Sequence, residues 1–203
     1  MKDICYTLDT PENPYKGQMT DFERKKLYTW IRTYKPKNVL EIGTAGGGGS
    51  TFYIAHGLYD NGEGVVHTCD INPLNDIKND TKLMNHIDFH QLKSKEFIHN
   101  TLYKSIIPDF IFFDGPEEPD IGLDDLKNLE NTIQDGCLFS MHDWEFTKRK
   151  LDNGISTKSL YVRPYIEKSN NWIKIEVLSG LEINCKNNNE IDSVGLCLYR
   201  YKK

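Results

Sequence analysis

No apolar run in this chain approaches the roughly 18 residues that a membrane span needs, so no membrane partner is expected. Cysteine is sparse: Cys5, Cys69, Cys137, Cys185 and Cys197 are odd in number, scattered, and form no C-x-x-C pair. That pattern argues against both a disulfide framework and a structural zinc site. Cys69 and Cys137 lie in or beside apolar runs and read as small core residues. Basic charge is short as well. The chain has 25 Lys and Arg against 30 Asp and Glu, a net charge of −5, so no nucleic-acid partner is expected. The stretch MKDICYTLDTPENPY lacks an apolar h-region; no secretory signal is read, and a cytoplasmic location is expected.

The 203 residues, 38% hydrophobic and 27% charged, suit one globular domain over 1–203. Residues 1–20 contain Pro11, Pro14 and Gly17 and read as a segment lying over that domain. Thr20 with Glu23 is a capping-box pattern, and Phe22, Leu27, Trp30, Ile31 and Tyr34 recur at helical spacing until Pro36. Short apolar runs then alternate with helical patterns. Strands are expected over 38–43, 64–71, 86–92, 109–115 and 137–144. Helices are expected over 50–58, 94–103 and around Leu123, Leu126, Leu129 and Ile133, ending near Gly136. Strands separated by helices imply right-handed crossovers and a parallel sheet. Two late strands, 172–178 and 194–201, flank an Asn-rich stretch and read as an antiparallel pair closing one edge. The expected fold class is therefore α/β: a Rossmann-like, doubly wound, mostly parallel seven-stranded sheet with an antiparallel C-terminal strand pair and helices on both faces. Residues 145–170, charged and irregular, are expected to form a lid or substrate loop.

VLEIGTAGGGGSTF, residues 39–52, puts five glycines in the seven positions from Gly43 to Gly49, directly behind the first strand. A phosphate cradle G-x-x-x-x-G-K-[S/T] would use Gly43, Gly48 and Ser50, but its lysine position is Gly49. The charge that reaches the outer phosphates is missing, and that reading is set aside. The dinucleotide fingerprint G-x-G-x-x-G meets Ala45 at its second glycine and survives as an alternative. Either ligand belongs at the carboxyl ends of the parallel strands, where Gly43–Gly49, Asp70, Asp114 and His142-Asp143 share one rim. Glu41, two residues before Gly43, favours a cationic guest, because an unpartnered carboxylate repels a pyrophosphate. The plainer alternatives are a solvated strand-end Glu41 and an Asp70 that caps the turn at Asn72-Pro73.

Glu-x-Gly-x-Ala-x-Gly across 41–47 resembles the first motif of class I S-adenosylmethionine-dependent methyltransferases. The resemblance implies that Glu41 serves the amino-acid end of the cofactor, and that Gly43, Thr44, Ala45, Gly47 and Ser50 form its turn. It further implies that Asp70 accepts hydrogen bonds from the ribose hydroxyls and that Ser94 borders the adenine. The stretch from Pro108 to Trp144, with Phe113-Asp114-Gly115, Gly136 and His142-Asp143-Trp144, resembles the later half of small-molecule and sugar O-methyltransferases related to cephalosporin-biosynthesis and macrolide-sugar enzymes. Its layout is also similar to the catechol and caffeoyl types. In those relatives the matching strand ends hold a divalent metal, which implies Asp114, His142 and Asp143 as ligands of Mg or Mn. A hard cation held by carboxylates lowers the pKa of an acceptor hydroxyl and orients it, while an imidazole suits Mn or Zn better than Mg. Where the relatives carry His in Asp-Gly-x-His, this chain has Glu117 between Pro116 and Pro119. Glu117 is open to three readings: general base, further metal ligand, or rigid acidic turn.

The resemblance therefore implies a methyltransferase acting on a hydroxyl of a small molecule or sugar, with metal assistance. The expected catalytic residues are Asp114, Glu117, His142 and Asp143; the expected cofactor residues are Glu41, Gly43, Thr44, Ala45, Gly47, Ser50, Asp70, Ser94 and Asp114. Two alternatives stand beside it, an NAD(P)-dependent oxidoreductase and a catalytically inactive cofactor-binding module. The layout also implies association into a homo-oligomer.

Overall fold

The computed structural model describes residues 10–15, 19–103, 106–146, 157–184 and 191–203. Helix α1 (Asp21–Tyr34) starts at the expected capping box. Thr20 Oγ1 accepts the Glu23 amide at 3.3 Å and the Glu23 carboxylate accepts the Thr20 amide at 2.9 Å, satisfying two donors that a helix start leaves orphaned. Leu27, Tyr28, Trp30 and Ile31 are buried, and Lys35 ends the helix in the left-handed region just before Pro36. Phe22 departs from the periodic reading. It is exposed, and Glu23 next to it turns inward and is fully buried.

The alternation then follows as β1 (Asn38–Ile42), α2 (Ser50–Asn61), β2 (Val65–Asp70), α3 (Thr81–Met84), β3 (Ile87–Gln91), α4 (Ser94–Tyr103), β4 (Phe110–Phe113), α5 (Pro119–Glu130) and β5 (Leu138–His142). The chain closes with α6 (Ser159–Lys168), β6 (Trp172–Asn184) and β7 (Ile191–Tyr201). The sheet order is β3-β2-β1-β4-β5-β7-β6. The first five strands are parallel, and β7 runs antiparallel to both β5 and β6. The seven-stranded, doubly wound α/β reading matches this sheet.

Strand β4 shows why the sheet is covered on both sides. Successive strand residues point to opposite faces, and Phe110 and Phe112 join the core under α1 and α2 while Ile111 and Phe113 join the core under α4, α5 and α6. All four are fully buried, each worth roughly 1.5–3 kcal/mol relative to exposure, so this strand is apolar throughout rather than alternating. Cys69, Cys137 and Cys197 are buried thiols; Cys5 and Cys185 lie outside the described residues. At the β2–β3 edge Asp88 draws in both His67 Nδ1 and His90 Nε2 at 3.0 Å, a pairing that the spacing of these histidines does not reveal. Among the described residues no helix is long and apolar enough to cross a membrane.

The segment 145–170 corrects the sequence reading. Residues 159–168 form α6, whose Val162 and Ile166 are buried in the core with Leu126 and Leu129 of α5. Its pattern is short and broken by Pro164, which hides the helical period. The lid expectation for 147–156 lies outside the described residues. In the opening segment, the Asn13 side-chain amide donates to Gly48 O at 2.8 Å and Tyr15 packs edge-on against Phe52, so this part does lie over the glycine turn.

Gly43 is the tightest point of the sheet's carboxyl edge. Its φ is +96°, and a Cβ there would stand 2.8 Å from the backbone oxygen of Asp114. Both strain and overlap with a backbone atom oppose any side chain. Gly43→Ala is expected to destabilise the fold by about 2 kcal/mol or more, measured by urea denaturation. A change within ~0.5 kcal/mol would show that the turn has room to relax.

Candidate active site

Strand β1 lies between β2 and β4, so the strand order reverses beside it, the position at which open α/β sheets bind ligands. The glycine turn leaves β1 here. Gly43 and Thr44 both donate to Cys69 O, at 3.0 and 3.2 Å, and Ala45 N donates to Asp70 Oδ2 at 2.8 Å. Asp70 Oδ1 accepts from Asn72 N at 2.8 Å, so this carboxylate also caps the turn after β2. Beside the turn is a cavity of about 840 Å³ whose wall includes Gly43, Asp70, Leu92, Ser94, Pro116 and Asp125. Asp125 is 1% exposed, and its Oδ2 has no hydrogen-bond partner. Burial raises its pKa, against the hydrogen bond from Ser94.

On the other side of the Gly43–Asp114 contact is a cluster of charges from four segments. His142, ending β5, places Nδ1 3.3 Å from Asp114 Oδ1 and 3.2 Å from Asp143 Oδ1, and Nε2 3.4 Å from Glu23 Oε2. Burial alone would depress the imidazole, but the Asp114 and Asp143 charges outweigh it and raise its pKa well above the usual value. Burial also opposes ionisation of Asp114, yet His142 and Lys158 hold its pKa below the ordinary carboxylate range. Glu23, despite its burial, is held low by His142 as well. Asp143 takes a left-handed backbone, φ 61°, with its carbonyl tied down by the Ser159 hydroxyl. A non-glycine residue there marks a constrained site.

Lys158, at the start of α6, completes the cluster. It is fully buried, and Nζ lies 3.3 Å from Asp143 Oδ2, 3.3 Å from Glu117 Oε1 and 3.5 Å from Asp114 Oδ1. Burial disfavours the ammonium, but the three carboxylates prevail and raise its pKa. Asp114, His142 and Asp143 each offer a ligand atom within 4.8 Å of the others, so the expected metal set does come together. Its two carboxylates are the same ones that hold Lys158. With that lysine in place the residues do not fit a divalent ion, because the ammonium is already held by both carboxylates that the ion would need.

The sequence model of a methyltransferase domain matches residues 40–144, more than half of the chain, from within β1 to just past β5. The chain belongs to this methyltransferase family. No curated protein matches it. Among solved structures it is similar to the O-methyltransferase from Bacillus cereus in complex with SAH, with a TM-score of 0.68 and 15% identity over 93% of this chain and 84% of that one. It is also similar to the O-methyltransferase TomG of Streptomyces achromogenes, involved in tomaymycin synthesis and solved with SAM (0.66, 14% identity, 92% and 82% covered). The N-methyltransferase NodS of Bradyrhizobium japonicum, in complex with SAH, aligns over 95% of this chain and 94% of its own, with a TM-score of 0.66 and 13% identity. At such identities the likeness carries the fold, that of the class I methyltransferases.

In this methyltransferase the predicted cofactor residues lie in different places, Asp114 in the charged cluster and the others at or behind the cavity wall. Gly43, Asp70 and Ser94 line the cavity. Glu41, Thr44, Gly47 and Ser50 are buried behind the turn instead. A Cβ on Gly47 (φ +86°) would meet Leu74 at 2.5 Å and Ile77 at 2.7 Å, so this glycine makes room for protein. Thr44 pairs with Thr68. Ala45 is exposed, and only its amide is engaged, by Asp70. Glu41 accepts from Ser50 at 2.6 Å, Thr51 at 2.7 Å and Thr68 at 2.6 Å, and is 0% exposed. It braces the turn from below rather than facing the cavity.

Three participants escape the sequence reading: Lys158, Glu23 and Asp125. Glu23 reads as a helix cap and serves as one, but the same carboxylate also meets His142. Asp125 sits in an acidic helix, where acids read as a solvated face, yet it turns toward Ser94. Trp144, next to the His142-Asp143 pair, is fully buried against Tyr199.

Burial pushes Glu41 up from the ordinary 4.5 to about 7, against its three hydroxyl partners. The fold thus favours its protonated form. The resulting stabilisation is full below pH 4.5 and is lost as pH rises through about 7. Between pH 5 and 8 the wild type is expected to lose on the order of 1–3 kcal/mol from this group, and Glu41→Gln markedly less, by urea denaturation at both pH values. Equal losses in the two proteins would contradict this role.

Proposed function

We propose that this methyltransferase moves a methyl group from S-adenosylmethionine to a hydroxyl of a small molecule or sugar. One observation carries the reading: the Gly43–Asp114 contact joins a ligand-sized cavity on one side to a charged cluster on the other. The cavity suits the cofactor. Asp70 keeps lone pairs for ribose hydroxyls beyond the two amides it already accepts, and the unpartnered Asp125 Oδ2 is an acceptor for the adenine amine.

S-adenosylmethionine, when bound, supplies an electrophilic methyl carbon on a sulfonium. The residues of the chain do the remainder. Asp114 and Glu117 have the most exposed side chains of the cluster, at 23% and 36%, and present carboxylates to an incoming hydroxyl. As the acceptor oxygen bonds to the methyl carbon and the carbon–sulfur bond breaks, the hydroxyl proton passes to the Glu117 carboxylate, since His142 and Lys158 keep Asp114 a weak base. His142 and Asp143, nearly buried, hold Asp114 in place. Positioning and exclusion of water are the main contributions. The divalent ion expected with Asp114, His142 and Asp143 is supported by their convergence and opposed by Lys158; no step above requires it.

Calorimetry tests the cofactor. S-adenosylhomocysteine is expected to bind and NADH not to; the reverse would restore the nicotinamide reading. Asp125→Ala is expected to weaken S-adenosylhomocysteine about tenfold, or ~1.4 kcal/mol, while leaving the inosine analogue, which lacks the amine, unchanged. Equal weakening of both would remove Asp125 from adenine recognition. Turnover of labelled S-adenosylmethionine against phenols, catechols and sugars tests the acceptor class. Binding of the nucleoside without any turnover would favour an inactive module.

A further inference from the structure

The cluster has its own cation. Lys158 carries three N–H donors, and three carboxylates from two segments meet them: Asp114 and Glu117 in the connection from β4 to α5, and Asp143 after β5. The lysine is placed by the fold rather than left to swing. Its carbonyl accepts from Tyr161 and Val162 at the first turn of α6. Ser159 next to it ties Asp143, and Thr157 before it reaches Phe146 O. Gly122 of α5 lets this backbone approach closely, since a Cβ on Gly122 would lie 3.2 Å from Lys158 Cβ. A fully buried lysine is costly unless its charge is met, and here each N–H has an anionic partner within 3.5 Å.

The geometry points to Lys158 as a built-in counter-ion that takes the place of a divalent metal in this methyltransferase. Two of its three partners, Asp114 and Asp143, are the carboxylates that would otherwise ligate the ion. An ammonium in contact with those oxygens both neutralises and repels: it satisfies their charge and excludes a second cation at short range. Lys158 has no exposed surface, so it acts as a positioning residue, fixing Asp114 and Glu117, which face the acceptor. Glu117, where the resembling enzymes have histidine, belongs to this arrangement, because an acid there gives the lysine its third partner. The purpose assigned to Lys158 rests on the methyltransferase reading above; its metal-excluding effect does not.

The test is a manganese titration followed by electron paramagnetic resonance, on the full chain as wild type, Lys158→Met and Lys158→Arg. Wild type and Lys158→Arg are expected to leave Mn²⁺ free up to millimolar concentration. Lys158→Met keeps most of the length of the side chain without its charge. It is expected to bind one Mn²⁺ per chain at least about 100-fold more tightly than wild type, and to lose that site when Asp143→Asn is added. One Mn²⁺ bound to wild type at micromolar concentration would overturn the proposal, and so would a folded Lys158→Met as blind to manganese as wild type. Should Lys158→Met not fold, the wild-type titration still decides. Calorimetry with S-adenosylhomocysteine on the same samples reports separately on the methyltransferase reading: its failure would sink that reading and leave the manganese result standing.

Discussion

The contact on which the site depends is one between backbones. Gly43 at the end of β1 and Asp114 at the end of β4 are so close that no side chain fits between them. The register of the two strands sets this, with Ile42 opposite Phe113, and the Asp114 amide continues the pairing by donating to Ile42 O at 2.8 Å. Gly43 thereby lines the cavity, while Asp114 across the contact joins the charged cluster. The glycine turn and the charged cluster become neighbours through a direct backbone contact.

Charge is arranged around that contact in two different ways. Beneath the turn, Glu41 is enclosed by three hydroxyls and its pKa is pushed up to about 7, so it organises the backbone from a buried position. Across the contact, four carboxylates share two buried cations, His142 and Lys158. Such a network is rigid for a physical reason: removing one member leaves another charge buried without compensation, at a cost of several kcal/mol. The side chains most open to an acceptor, Asp114 and Glu117, are thus held by partners that an acceptor does not reach.

What the sequence made legible was local. The capping box of α1, the uniformly apolar β4 and the glycines after β1 all reflect forces acting over a few residues, and they sufficed for the sheet and its rim. The partnerships that define the site are tertiary. Thr68 reaches Glu41 because parallel register sets them side by side on β1 and β2. Lys158 is one lysine in a charged stretch, and nothing in its neighbours reveals that α6 will carry it beneath Asp114, 44 residues earlier. The glycines illustrate the same limit. Their run signals close approach, but at Gly47 the approaching atoms are Leu74 and Ile77 of the chain itself, so the motif located the turn and misassigned part of what crowds it.

The central claim is that the cavity beside Gly43 and the cluster around Asp114 form one site. The most direct measurement is a crystal structure of the chain with S-adenosylhomocysteine. The account predicts the nucleoside in the cavity between Asp70 and Asp125, with its sulfur toward Asp114 and Lys158 still on its three carboxylates. A nucleoside bound elsewhere, or a sulfur pointing away from Asp114, would contradict it.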